Sequence, residues 1–196
     1  AFRRLDLLVN NAAVTIRRPA LEVTREEWDA VIGTNLTGTF FMTQQRDGAG
    51  LVTLDNQIRT FIPASMKAGH LHSILVNLER TQLGMQSSMG TSLHHLAEIY
   101  AKRGLVCVIS DLLDDTEAVL DALKHFRFRG HEVIVFHVLD SDEIDFPFTG
   151  LTRFEEMETN AEMLTLPDAL RQSYIKQLNA FTTHWKTECM KMDVDY

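Results

Sequence analysis

Two cysteines in 196 residues are too few for a disulfide framework. Cys107 lies inside an apolar run and reads as a small buried hydrophobe, and Cys189 falls near the end of a helical pattern. A reducing compartment follows, and the chain is expected to be cytoplasmic. Positive charge is also scarce: 19 Lys and Arg stand against 27 Asp and Glu, for a net charge of -8. That balance excludes a general nucleic-acid binder, which needs a basic face to displace counterions, and it disfavours docking of the chain as a whole on an anionic bilayer. No apolar run approaches the roughly 20 residues a membrane span requires, so direct membrane insertion is not expected. The first residues carry no signal-peptide pattern. Repeats, low-complexity tracts and a clear linker are all lacking.

What is present is an ordinary globular composition, 45% hydrophobic and 23% charged, in a chain long enough to bury a core. Residues 5–9, 50–54, 105–109 and 133–138 form short runs rich in Val, Ile and Leu without strict alternation, the pattern of parallel strands covered on both faces. Residues 58–62 lead into Pro63 and suit a short antiparallel edge strand. Helical patterns lie between the runs. The first opens at Thr24 with Glu27 three residues on, a capping box, and carries Trp28, Val31, Ile32 and Leu36 on one stripe. A second runs through Leu71, Ile74, Leu75 and Leu78. A third, from about Ser92, turns Leu93, Leu96, Ala97 and Tyr100 inward and stops at Gly104. A fourth starts near Asp115, buries Val119, Leu120, Leu123 and Phe126, and stops at Gly130. The last opens at Pro167, with Leu170, Tyr174, Leu178, Phe181 and Trp185 on its inner face. Residues 146–164 read as a hairpin excursion. Alternating strands and helices predict an α/β three-layer sandwich.

Two stretches carry family resemblances. Leu5 to Ala13 reads LDLLVNNAA, and Asn35 to Phe41 reads NLTGTFF. Both segments, in this order and spacing, resemble the fourth strand and following helix of short-chain dehydrogenases/reductases, over residues 1–44. The resemblance implies cofactor contacts at Asn10, Asn11 and Ala12 and a catalytic-tetrad role for Asn35, with NAD(P) as cofactor. The rest of that machinery is missing. No glycine cluster precedes residue 5 to approach a pyrophosphate. The family's Tyr is followed four residues later by Lys, whereas here Tyr100 is followed by Gly104, Tyr174 by Leu178, and Tyr196 is the last residue. Asn10, Asn11 and Asn35 are then left to satisfy turns and backbone groups, and no catalytic residue is expected.

Residues 45–196 resemble a bacterial family of unknown function with a von Willebrand factor A-like fold, whose members are associated with MoxR-type ATPases. The resemblance rests on GLVTLD at 50–55, LHHLAE at 93–98, LVCVISDLLDD at 105–115, RGHEVIVFHVLD at 129–140 and LTRFE at 151–155. It implies a Mg2+ site of hard oxygen ligands at the carboxyl end of the sheet. Asp111 matches the aspartate of the third loop, and Ser87 is the best match for the threonine of the second. In the first loop Asn10, Ala12 and Val14 stand where Asp, Ser and Ser would be. Only Asn10 among them offers an oxygen, so a degraded metal site is expected, and on this resemblance no cofactor is expected beyond, at most, Mg2+. The alternative for Asp111 is a turn cap facing solvent.

Both fragments contain a strand, a loop and a helix of similar length, and right-handed crossovers suit either. The dehydrogenase-like piece is therefore expected to serve as first strand and helix of a single domain over 1–196, with strand order 3-2-1-4-5. The sheet is expected to be incomplete at one edge, left open or blunted by the acidic tail Asp193, Val194, Asp195. Natural recombination, an engineered chimera and a misassembled reading frame all fit such a hybrid.

Remaining constellations favour structure over chemistry. His70 and His72 diverge on a helix, as do His94 and His95, and no Cys or carboxylate cluster completes a transition-metal set. Lys124, His125, Arg127, Arg129 and His131 sit where cations complement a helix C-terminus. Asp114/Asp115 and Glu155/Glu156 read as a helix start and a solvated surface. The sequence therefore predicts a non-enzymatic interaction domain acting around Asn10, Ser87 and Asp111, with a protein partner that the resemblance points to as a MoxR-type ATPase. A dehydrogenase-related oxidoreductase fragment is the alternative, and a hybrid with no evolved function the third reading.

Overall fold

The structure is a computed structural model that describes residues 7–10, 48–81, 88–155 and 162–196. The helix expected from Thr24 lies outside these residues. Among the described residues, seven strands are present: β1 (Leu7–Asn10), β2 (Ala49–Leu54), β3 (Ile58–Ser65), β4 (Leu105–Ser110), β5 (Glu132–His137), β6 (Thr152–Glu155) and β7 (Glu162–Thr165). Five helices accompany them in the same described residues: α1 (His70–Arg80), α2 (Met89–Ile99), α3 (Thr116–Phe128), α4 (Ser141–Asp145) and α5 (Pro167–Lys191). The fold is mixed α/β. A five-stranded sheet runs β3-β2-β1-β4-β5, and β6 and β7 form a separate two-stranded sheet. Pairs β1–β2, β1–β4 and β4–β5 are parallel, while β2–β3 and β6–β7 are antiparallel.

Successive residues of a strand point to opposite faces, and the apolar runs divide accordingly. Val52, Leu54, Val106, Val108, Val133 and Val135 pack in one cluster with Leu93 and Leu96 of α2, Leu123 and Phe126 of α3, and Trp185 and Cys189 of α5. Leu51, Leu105, Cys107 and Ile109 join a second cluster with Ile74 of α1. Both clusters exclude water from whole side chains, each worth about 1.5–3 kcal/mol for a Val, Leu or Phe. Both faces being apolar explains why these strands do not alternate in sequence.

The edge strand differs from its sequence expectation. β3 runs on through Pro63 to Ser65, with a register shift opposite Gly50 between the pairs Ala49–Ser65 and Leu51–Ile62. A Cβ at Gly50 would stand 2.7 Å from the Ile62 carbonyl oxygen and 2.8 Å from the Ala64 nitrogen. The missing side chain lets the two backbones close at the irregularity, and Pro63 is tolerated because β3 is the edge. Helix α2 begins at Met89, three residues before the expected Ser92, because the Asp114 carboxylate accepts the Met89 N–H at 2.6 Å. Helix α4 has no counterpart among the helices expected from sequence, although Asp140 and Glu143 make a full capping box. Leu170, expected inward on α5, is 39% exposed, whereas Trp185 is fully buried.

At the opposite edge the chain returns as a strap on β5. Asp195 bridges Ile134 in parallel, with Val135 N–H donating to the Asp195 carbonyl at 2.7 Å and Asp195 N–H to that of Val133 at 3.1 Å. Val194 is buried in the first cluster.

Candidate functional site

Parallel order brings the carboxyl ends of β1, β2, β4 and β5 to one edge, where ligands of open α/β sheets bind. Backbone register sets Asn10 beside Ile109 and Ser110 beside His137. Asp55 follows β2 at the same edge. It is largely buried, pairs with Arg59 Nε at 2.6 Å and accepts the Gln57 N–H at 3.0 Å. The Ser92 hydroxyl donates to its carbonyl at 3.2 Å, tying α2 to this edge.

Asp111 leads the loop after β4. Its carboxylate accepts the Leu113 N–H at 3.2 Å and the Ser110 hydroxyl at 3.4 Å, and its side chain reaches solvent. The buried Ser110 Oγ in turn accepts the Leu112 N–H at 3.0 Å. Leu112 sits at φ 59 with its side chain fully buried. A left-handed leucine is costly. Two side-chain turns and a leucine anchored in the core hold the loop in that conformation, which presents Asp111 outward.

His137 closes the site from β5. A carbonyl oxygen only accepts, so Nε2 carries the proton it donates to the Asp111 carbonyl at 2.9 Å. Nδ1 then accepts from the Tyr196 hydroxyl at 2.6 Å. Burial lowers the His137 pKa from the ordinary imidazole value, against the raising effects of the Asp111 hydrogen bond and of the Asp111 and Glu143 charges. Burial raises that of Tyr196, with Cys189 adding to it. Both imidazole nitrogens are therefore engaged in structural bonds, and His137 would have to break one to act as a base.

Of the site residues read from sequence, the structure places Asp111 at the sheet's carboxyl edge and the Asn10 backbone two strands' width from His137 across β4. Ser87, Asn11, Ala12 and Asn35 lie outside the described residues. Ser88, next to Ser87, precedes α2, whose first N–H is held by Asp114 in the loop that carries Asp111. For Mg2+ the donor set is thin. Asp111 spends one carboxylate oxygen on its own turn, Ala12 and Val14 have no side-chain oxygen, and no group of three His, Cys, Asp or Glu gathers among the described residues. These residues do not fit a magnesium ion well. Sequence reading missed Asp55, His137 and Tyr196 as parts of this edge. The signal for the first two was their position immediately after, or at the end of, an apolar run.

Known proteins resemble the chain in two ways. D-threitol dehydrogenase of Mycolicibacterium smegmatis is 36% identical over 66 residues, 30% of this chain and 25% of that enzyme. The chain thus spans only about a quarter of that relative, in an alignment longer than the dehydrogenase-like stretch 1–44. Among solved structures, an aerotolerance-related membrane protein of Bacteroides fragilis, bearing multiple mutations to serine, superposes with a TM-score of 0.52 at 16% identity, covering 90% of this chain and 89% of that one. The conserved hypothetical protein BatB of Bacteroides thetaiotaomicron gives 0.52 at 13% identity, covering 96% and 98%. These two share the fold. No helix among the described residues is long and apolar enough to cross a membrane. Residues 22–183 match the family described as "Protein of unknown function DUF58", a match that begins inside the dehydrogenase-like stretch, and the chain belongs to that family.

Proposed function

We propose that this chain is a non-enzymatic protein-interaction domain of von Willebrand A type, a single three-layer α/β sandwich over residues 1–196. In this reading the dehydrogenase-like strand and helix serve as the first strand and helix. The partner docks at the carboxyl edge of the sheet, around Asn10, Ser87 and Asp111, in the cytoplasm, and a MoxR-type ATPase is the partner that the family resemblance favours. The metal site is degraded and contributes little. The observation that supports this most is the Asp111 loop: an exposed carboxylate on a strained, doubly anchored turn, beside a histidine whose nitrogens are both occupied. Strain held in a loop marks ligand clamps, and an imidazole bonded at both nitrogens has none free to serve as a base.

Biolayer interferometry against a purified MoxR-type ATPase tests it. Asp111→Lys should weaken binding at least about tenfold, the cost of roughly 1.4 kcal/mol, and should lower the melting midpoint only slightly, since the turn keeps its Ser110 bond and its buried leucine. Binding indifferent to Asp111→Lys, or no binding, would overturn the reading.

The identity to D-threitol dehydrogenase supports a second reading, an oxidoreductase-related fragment that retains NAD(P) affinity through Asn10, Asn11 and Ala12. Quenching of NADPH fluorescence distinguishes the two: saturable binding favours the second reading, and none leaves the first.

A further inference from the structure

Helices α2 and α3 run side by side in the same direction. Gly90, early in α2, abuts Ala118, early in α3. Tyr100, just past α2, stacks on His131, just past α3, with ring centroids 5.6 Å apart. Along this seam His94 of α2 meets His125 of α3, with centroids 4.6 Å apart and ring planes inclined at 48°. His94 is exposed and His125 half-buried. The Nδ1 of His125 is shielded from water and has no hydrogen-bond partner, an uncommon state for a buried polar atom.

We propose that His94 and His125 form an interhelical site for a divalent transition metal of the zinc class. Imidazole nitrogen suits zinc, copper and nickel, and an ion between the rings would engage one nitrogen of each, including the orphaned Nδ1. Glu98 lies one turn beyond His94 and Asp121 one turn before His125, so each shares its helix ridge with one of the rings. Both are exposed, and Glu98 now faces His95 at 3.7 Å. No set of three ligands is gathered among the described residues. The exposed His94 ring therefore swings outward to admit the ion, which takes two nitrogens and completes its shell with water on that open side, or with one carboxylate after a side-chain rotation. His95, adjacent in sequence, diverges from His94 on the helix and takes no part.

Calorimetric titration of the intact chain with zinc chloride tests the site. One ion per chain is expected. His94→Ala and His125→Ala should each weaken binding at least about tenfold, the loss that even an outer-shell partner can bring, and His95→Ala should leave it unchanged. His94 is exposed, so its replacement keeps the fold, which a melt without metal verifies. No binding heat, or zinc affinity that survives His94→Ala, would overturn the proposal; the latter would put zinc on other histidines such as His70 or His184.

Discussion

Gly90 and Ala118 are in contact through a gap too small for a methyl group. A Cβ on Gly90 would stand 2.6 Å from the Ala118 Cβ and 2.8 Å from its carbonyl carbon. The second obstacle is helix backbone and cannot swing aside. Gly90→Ala gains some helix propensity, but in the first turn of α2 that gain is below the roughly 1 kcal/mol of a helix interior. Overpacking costs about 1–3 kcal/mol. Urea denaturation should therefore show Gly90→Ala less stable than the parent; equal or greater stability would mean α2 and α3 separate at no cost.

Leu112 sets two effects against each other. Glycine there relieves a left-handed backbone strain of about 1–2 kcal/mol, yet removes a fully buried leucine, which costs about 2–5 kcal/mol. The cavity effect is larger, so Leu112→Gly should lower stability in chemical denaturation. A more stable variant would show that the strain outweighs the lost packing.

Arg127 holds the strap on β5. Its side chain donates to the Met192 carbonyl at 3.3 Å and to that of His131 at 2.9 Å, and it pairs with the Asp193 carboxylate. Asp193 is 91% exposed, so screening leaves that pair worth about 0–1 kcal/mol. The carbonyl bonds matter more. Arg127→Ala should speed hydrogen exchange at the Val135 and Asp195 amides, and Asp193→Ala should leave it nearly unchanged. Equal effects from both variants would make the ion pair the true fastener.

Burial pushes the Cys107 thiol up to about 12 and that of Cys189 to about 11, from an ordinary 9.0. In the fold both stay protonated at pH 8, and the thiolate is the nucleophile, so neither should react with iodoacetamide until the chain unfolds. Because the folded values are raised, the stability this confers is complete below about pH 9. It is lost as the pH climbs from there towards 12. Mass spectrometry of native and urea-unfolded samples checks the first expectation; rapid native labelling of Cys107 would contradict it.

Magnesium or manganese at millimolar concentration should leave the melting midpoint unmoved, since a ligand raises it only by binding the folded state. A rise that disappears in Asp111→Ala would show that the depleted donor set still holds an ion.

The legible parts of the fold were those where one local rule decides. Asp115 accepts the Glu117 and Ala118 N–H groups at 3.1 Å each, as a helix-starting aspartate should, and residues 105–109 and 133–138 carry enough Val, Ile and Leu to be strands wherever they pack. The reach of β3 past Pro63 was not legible, because it depends on Gly50 across the pairing. Nor was the carboxyl edge. Asp111 could be read as a candidate from a motif, but His137 and Tyr196, 59 residues apart, meet only through the strap. His94 looked unpartnered because its neighbour in sequence points away, and its neighbour in space belongs to another helix.

The strap also fixes a direction of departure. Asp195 lies parallel to β5, and the Tyr196 hydroxyl reaches His137 at the strand's far end. Whatever is joined after Tyr196 therefore emerges beside Asp111. A capture tag placed there would turn this face toward the sensor and shade it from a large ATPase. In a binding assay the molecule is best immobilised by its amino groups or held free in solution, so that a missing signal reports the surface and not the tether.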